Sequence, residues 1–586
     1  MACMSSEAKT CQNCKNQFVI EPNDLAFYER LEVPIPTYCP RCRAQRRMSW
    51  RNERSLYKRR CSAPGHTEDI ISMYAPDTPY VVYDAKYWWS DEWDPLAYGR
   101  DYDFSKPFFE QFTELLKTAP LLTLANINSV DSDYTNFVEQ NRGCYLIFGS
   151  GGNEQVRYSN KSMHNRDSQD LFVVEKSELC HECVDCRESY ELRYSVNCRN
   201  CTDSWFLYEC RGCTNCFGCS NLINKSYCIW NKQYPKEEYV EKLKEFNLES
   251  RQSIEKLKKK FWEEIYPRAV HRFAYIVGSS RVTGNNIHNS KNCLNCFDIH
   301  GEVEDSKNLI HAMQVKDTAD AMGPWRVELS YELVDCNEVN RLLGTLTVYN
   351  SNDIYYSINC HSCSNLFGCS GLRNKQYCIL NKQYSKEDYE RHKEQAIEHM
   401  KKNGEFGEFF PIRLSPWAYN ETIAQEYFPL TKEETLTKGY RWRDPDTRSY
   451  SVTMPSNRIP DRIKDISDSI TQEVIGCAHE GKCNEQCTTA FKIINQELQF
   501  YQRLNLPLPE LCPNCRHYQR LRQRIPLQLW HRRCTCAGVR SERSVYTNTA
   551  THFHGSNHCP NEFQTSYSPD RPEIVYCEQC YQSEVV

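Results

Sequence analysis

Small polar, turn-forming and aromatic residues alternate along residues 126–234, and the cysteines among them recur at a fixed step. Cys180, Cys198 and Cys216 form one series, Cys183, Cys201 and Cys219 a second, and Cys210 and Cys228 a third. The period is 18, and Cys144 stands two periods before Cys180. A period this short predicts a β-solenoid whose 18-residue rungs stack equivalent cysteines as ladders. Neighbouring rungs lie about 4.8 Å apart, so small thiols can fill a narrow core without a metal. A longer duplication overlies the rungs: NKSYCIWNKQYPKEEY from Asn224 returns as NKQYCILNKQYSKEDY from Asn374, an offset of 150. Two solenoid halves are therefore expected, at 126–234 and 271–384.

The Lys- and Glu-rich stretches 235–263 and 385–402 predict solvent-facing helices, drawn as a helical arm at 235–270 and as an arm plus aromatic connector at 385–475, either projecting as arms or, more simply, packing as surface helices on the solenoid side. That connector, from Phe410, ends in a short helix opened by a Thr431/Glu434 capping box. In 63–125, Phe108, Phe109, Phe112, Leu115 and Leu116 form the apolar stripe of a helix that Ser105 is expected to cap, which makes this an aromatic packing module. Its acids, Asp91, Glu92, Asp94, Asp101 and Asp103, invite a glycosidase or metal reading that the packing role makes unnecessary.

The two ends repeat one another. CKNQFVIEPNDLAFYERLEVPIPTYCPRCRAQRR from Cys14 matches CTTAFKIINQELQFYQRLNLPLPELCPNCRHYQR from Cys487 at an offset of 473. Paired CxxC-type knuckles about 25 residues apart can close a tetrahedron of thiolates, a zinc signal. The expected quartets are Cys11, Cys14, Cys39 and Cys42 at residues 1–62, and Cys483, Cys487, Cys512 and Cys515 in a tandem domain at 476–586. Each knuckle runs from a hairpin into a basic helix, the order of a zinc ribbon or treble clef. A third quartet is expected from Cys534, Cys536, Cys577 and Cys580, with His552, His554, His558 or Cys559 able to replace one ligand. In the N-terminal copy Asp84 and Tyr87 occupy the places of Cys577 and Cys580, leaving Cys61 with His66 nearby. The cofactor expectation is thus Zn2+, about three ions.

Composition supports metal over disulfides: 34 cysteines in 586 residues belong to a chain too large to need stapling. The start, MACMSSEAKT, carries no secretory signal pattern, and no stretch offers roughly 18 consecutive apolar residues, so a cytoplasmic, thiol-reduced protein is expected. The net charge of −5 hides two basic segments, 41–60 and 516–533. In the first, Arg43, Arg46, Arg47, Arg51, Arg54 and Lys58 recur at three- and four-residue steps beside Trp50; in the second stand Arg516, Arg520, Arg522 and Arg524. Such faces suit phosphate contact and base stacking, RNA ahead of DNA, although arginine faces can equally pair with an acidic body.

CRGCTNCFGC, Cys210 to Cys219, approaches a ferredoxin run but closes one residue short and lacks the following proline. The duplicate CHSCSNLFGC puts Leu366 where Cys216 stands, which assigns Cys216 to core packing and leaves Cys210, Cys213 and Cys219 as possible additional ligands. No P-loop, GxSxG, HExxH or dinucleotide fingerprint is present.

LCPNCR, YAPDTPYVVY, WWSDEWDPLAYGRDYDFSKPFFEQF and NKQYSKEDY together resemble a family of large, cysteine-rich zinc-ribbon proteins of candidate-phyla bacteria (Patescibacteria), across nearly the whole chain. The resemblance implies an architecture and no activity, since the CoA-transferase label carried by some members finds no support in their sequences. The family usually shows a CxxC before its WWSD, where this chain has Asp84 and Tyr87.

The combined expectation is a mixed, mainly β, non-enzymatic multi-zinc protein: zinc-ribbon heads flank a duplicated cysteine-rich β-solenoid with helical arms, and the heads bind RNA. The alternatives are a protein-interaction scaffold and an iron–sulfur electron carrier.

Overall fold

A computed structural model describes residues 6–444 and 450–586; the first five residues of the chain start discussed above lie outside them. The chain divides into two units. Unit 1 comprises 1–125, 274–443 and 527–529; unit 2 comprises 126–273, 444–526 and 530–586. Each unit joins a cysteine head from one end of the chain to the parallel strand stack from the opposite half. Among the described residues no helix is long and apolar enough to cross a membrane.

In unit 2 the stack pairs parallel with itself at a register of 12 residues, not 18. Gln169 pairs with His181, Leu171 with Cys183, Tyr190 with Thr202 and Cys216 with Cys228, and isolated bridges carry the same step back to Val130 and Arg142. Left-handed backbone recurs at every third position, for example Asp167, Asp170, Val173, Lys176 and Leu179. Four three-residue sides thus make one rung. Many of these corners are Asn, Asp or Gly, the residues that tolerate positive φ best. Gly218 is one where a side chain is strongly disfavoured: a Cβ there would come within 2.1 Å of the Trp230 ring, one rung on, and would force that ring to move.

The residue after each corner points inward, so the interior has a period of three. Cys180, Cys183, Cys186, Cys198, Cys201, Cys210, Cys213, Cys216, Cys219 and Cys228 lie there with Leu171, Leu192 and Leu207. The 18-residue series is therefore a multiple of this inward step and not the rung: Cys180, Cys198 and Cys216 are all interior but do not pair with one another. Polar interior residues are satisfied along the ladder. Asn153 and Asn165 each donate their backbone N–H at 2.9 Å to Oδ1 of Asn141 and Asn153, one rung before.

In unit 1 the second stack has the same 12-residue register from Met313 onward, as in Ile354–Leu366 and Leu366–Cys378, whereas its earlier rungs vary, Ile276 pairing with Ile287 and Phe297 with Ile310. Its core is richer in aliphatic residues, among them Leu309, Val315, Leu333, Val348 and Ile354. The duplicated NKxYCIxNKQY motif ends each stack: Lys232–Gln233 folds back antiparallel on Ser226–Ile229, and Lys382–Gln383 on Gln376–Ile379.

The charged helices pack on the stacks, the simpler of the two expected arrangements. Tyr239, Ile254 and Leu257 bury against Phe206 and Phe217 of the first stack, and Tyr389, Ala396 and Met400 of helix Lys386–Lys402 are buried in unit 1. The helix Phe108–Thr118 is capped differently from expectation. Ser105 is occupied with Asp103, while the carboxylate of Glu405 accepts the backbone N–H groups of Phe108 and Phe109 at 2.8 and 3.0 Å. The aromatic module docks through Trp88, whose Nε1–H donates to the Pro120 carbonyl at 3.0 Å and whose ring meets His361 of the stack edge-on. Of its acids, Asp94 caps the short helix Pro95–Tyr98. The Thr431/Glu434 capping box is present.

Candidate metal centres

One local construction recurs at the heads. A two-stranded antiparallel hairpin presents a cysteine immediately after its first strand and another three residues before its second, and a helix follows whose N-cap and third residue supply two more. In the N-terminal head the strands are Glu7–Thr10 and Gln17–Ile20, giving Cys11 and Cys14, and the helix Pro40–Met48 adds Cys39 and Cys42. In the next head Ile475–Gly476 and Ala490–Phe491 give Cys477 and Cys487, and the helix Pro513–Arg522 adds Cys512 and Cys515. At the C-terminus Trp530–Arg533 and Glu562–Thr565 give Cys534 and Cys559, and the helix Glu578–Val585 adds Cys577 and Cys580.

The sulfurs of each quartet lie within 4.8 Å of one another. Cys14–Cys39 is 3.7 Å, Cys477–Cys515 3.9 Å and Cys559–Cys577 3.8 Å. The edge of a tetrahedron with thiolate bonds of about 2.3 Å is about 3.8 Å, so each quartet could hold one metal ion. In every head the N-cap N–H is aimed at the first sulfur: Cys39 N–H to Cys11, Cys512 N–H to Cys477 and Cys577 N–H to Cys534, at 3.2, 3.3 and 3.2 Å.

Two expected ligands change places. Cys477, not Cys483, completes the second quartet; Cys483 lies 3.7 Å from Cys515 and groups instead with His479 and Glu485. Cys559, not Cys536, completes the third, and Cys536 groups with His552, His554 and Cys580. Strand register fixes the ligand positions, whereas loops of very different length separate them in sequence. A fourth copy, on strands Tyr57–Arg60 and Asp69–Ser72, places Cys61, His66, Asp84 and Tyr87 at the corresponding positions. There Asp84 N–H reaches Cys61 Sγ at 3.3 Å, His66 Nδ1 lies 3.2 Å from Asp84, and Asp84 caps its helix through Oδ1 to Tyr87 N–H at 3.0 Å.

The heads carry thiolate character. The Cys42 thiol, hydrogen-bonded to Cys39, holds the Cys39 sulfur down to about 5; Cys477 lowers Cys512, and Cys534 lowers Cys577, well below the ordinary thiol range. A proton shared between clustered sulfurs is the one a metal displaces.

Most of the arginines expected to form a nucleic-acid face are instead buried in ion pairs. Arg43 and Arg47 pair with Asp320 at 2.8 and 3.2 Å, Arg46 and Arg47 with Glu332 at 2.9 and 2.6 Å, and Arg46 with Glu408 at 2.7 Å. Arg51 joins Glu53 and Asp335. All four are buried, as is Trp50, whose indole N–H donates to the Pro411 carbonyl. In unit 2 Arg516 and Arg520 both meet Asp170 at 2.6 Å, and the largely buried Arg524 meets Asp185 at 3.0 Å. Arg54 is half-buried. Lys58 and Arg522 are exposed, and each is paired, with Asp69 and Glu485. A bare arginine face would stay in water, but corners of each stack offer carboxylates, and in unit 1 the fork-shaped guanidinium of Arg47 bridges Asp320 and Glu332, one rung apart.

Cys210, Cys213, Cys216 and Cys219 are fully buried in the first stack. Their thiols donate to backbone carbonyls: Cys210 to Tyr208 at 3.5 Å, Cys213 to Leu222 at 3.3 Å and Cys219 to Phe217 at 3.3 Å.

The fold and these sites define a mixed α and β, cysteine-rich protein with several candidate metal centres. No family model and no curated protein matches the chain.

Proposed function

We propose that the chain is a non-catalytic zinc protein in which zinc-ribbon heads lock cysteine-cored β-solenoids into rigid scaffolds for a protein partner. The observation that carries this reading is the burial of the head arginines against stack carboxylates. To grip phosphates those side chains would have to leave buried ion pairs, at about 3–5 kcal/mol for each pair broken. Zinc suits the quartets because closed, four-coordinate thiolate sites are its structural habit.

The solenoid face best placed for docking is the ladder Val130, Arg142, Glu154, Arg166, Glu178 and Tyr190, in register at 12-residue steps. Val130, Arg142, Arg166 and Tyr190 are exposed. Its alternating charge with apolar ends selects a partner of complementary alternation. The test is affinity capture after nuclease treatment, comparing the wild-type chain with R142E/R166E. A defined protein bound by the wild type and lost by the variant supports the scaffold. Nuclease-sensitive RNA with no such protein overturns it in favour of nucleic-acid binding.

A further inference from the structure

The C-terminal head holds more ligand atoms than one metal can use. Beside the quartet Cys534, Cys559, Cys577 and Cys580 lies a second group, Cys536, His552, His554 and Cys580, whose donor atoms also fall within 4.8 Å of one another. Cys580 belongs to both.

The imidazoles of the second group are set up as ligands. His552 and its partner Glu584 have no exposed side-chain surface, and His552 Nε2 lies 3.3 Å from Glu584 Oε2. Its other nitrogen, Nδ1, is buried with no hydrogen-bond partner. In His554 the roles of the nitrogens are exchanged: Nδ1 faces the Asn557 carbonyl at 2.7 Å and Nε2 lies 3.3 Å from Cys580 Sγ. An outer carboxylate or carbonyl that takes one ring N–H leaves the other nitrogen as a lone-pair donor, the arrangement found behind metal-bound histidines. Amide groups support the sulfurs as well. Asn548 Nδ2 donates to Cys536 Sγ and Asn561 Nδ2 to Cys577 Sγ, each at 3.3 Å. An orphaned buried imidazole nitrogen costs free energy unless something fills the space before it.

We infer that the C-terminal head binds a pair of zinc ions bridged by the Cys580 thiolate, one held by Cys534, Cys559 and Cys577 and the other by Cys536, His552 and His554. Each ion then has four protein ligands and no open position, so the pair is structural. Five thiolates and two neutral imidazoles against two dications leave a net charge of −1, smaller than the −2 of an isolated four-thiolate zinc site. Sharing one sulfur therefore lowers the charge that a buried cluster must carry. The group His479, Cys483, Glu485 and Cys515 shares Cys515 in the same way, but there the Arg522 guanidinium already pairs with the Glu485 carboxylate, and a cation beside that ligand opposes a second metal ion. The inference stands whatever partner the ladder of unit 2 binds.

The test uses the full chain, loaded with zinc and counted by elemental analysis. H552A/H554A is expected to retain native circular dichroism and to carry one zinc fewer than wild type. An unchanged count in that folded variant overturns the proposal. Should the variant fail to fold, the wild-type chain exchanged into 113Cd decides. Two mutually coupled resonances, one from an all-sulfur site and one shifted upfield by mixed sulfur and nitrogen ligation, support the shared thiolate; a spectrum with only uncoupled all-sulfur resonances overturns it.

Discussion

Arg516 donates from Nη1 to Oδ2 of Asp170 at 2.6 Å, both side chains buried inside unit 2. Its counterpart in unit 1 is Arg43 on Asp320 at 2.8 Å. The head duplication, at offset 473, carries Arg43 onto Arg516, and the stack duplication, at offset 150, carries Asp170 onto Asp320. Two independent sequence repeats therefore meet at one ion pair, preserved in both units. Removing one partner strands a buried charge, so Asp320→Ala is expected to cost about 3–5 kcal/mol. Urea unfolding followed by circular dichroism checks this; a change below about 1 kcal/mol would mean that the pair is dispensable.

The second quartet predicts opposite results for two neighbouring cysteines. Cys477→Ser should remove one metal equivalent per chain and loosen the helix Pro513–Arg522, because that sulfur also receives the N-cap N–H of Cys512. Cys483→Ser, outside the quartet, should leave the metal of that quartet bound. Elemental analysis of both variants separates them, and loss from Cys483→Ser alone would restore the ligand set expected from spacing.

Burial raises the Glu209 carboxyl to about 7 against the pull of Arg211 and Arg272, while Asn197 donates to it at 3.0 Å and Tyr581 at 3.3 Å. The folded chain then holds a proton that the unfolded chain releases near the ordinary glutamate value. Stability from this group is complete below about 4.5 and is lost as pH rises to about 7, an effect of about 3 kcal/mol. Glu209→Gln should abolish that slope. Denaturation midpoints at pH 5 and pH 8 test it: the wild type should lose more stability than the variant between the two, and parallel behaviour would refute the assignment.

Glu405 caps the helix Phe108–Thr118 from outside it, accepting two backbone N–H groups. Glu405→Gln keeps one acceptor oxygen but loses the charge that favours a helix N-terminus, and should cost about 1 kcal/mol. Ser105→Ala, which the sequence would nominate, should change stability by less than half of that in the same thermal melt.

Legibility followed the range over which each feature is specified. The quartet Cys11, Cys14, Cys39 and Cys42 is readable because tight knuckles keep its ligands at short, recognisable spacings. Cys477 is not, and Cys559 is readable only as one of several substitutes, because each is defined by its position relative to a hairpin strand, and the loops between the ligands stretch freely; choosing Cys483 as the partner of Cys487 picked the wrong sulfur. The rung length was hidden for a related reason. The side chains report the inward step of three, and 18 and 12 are both multiples of it, so only backbone pairing such as Cys216 with Cys228 selects 12. The arginine faces carried the most misleading signal: helical spacing shows that Arg43, Arg47 and Arg51 share a face, but cannot say that Asp320, Glu332 and Asp335 await them across some 270 residues or more.

Cys216 tests whether the dense cysteine run is packing or chemistry. It is fully buried, its rung neighbour is Cys228, and the duplicated stack fills the equivalent place with Leu366, also fully buried. A position that accepts leucine in one copy needs apolar volume, and the polarizable thiol supplies less of it than leucine does. Cys216→Ala should therefore leave metal content unchanged and lower stability by about 1–2 kcal/mol, whereas Leu366→Ala, which opens a larger cavity, should cost about 2–5 kcal/mol. The two variants are compared by elemental analysis and urea unfolding in parallel. Loss of a metal equivalent from Cys216→Ala would move the run from core to metal site, and equal stability costs would show that side-chain volume does not set the cost at this position.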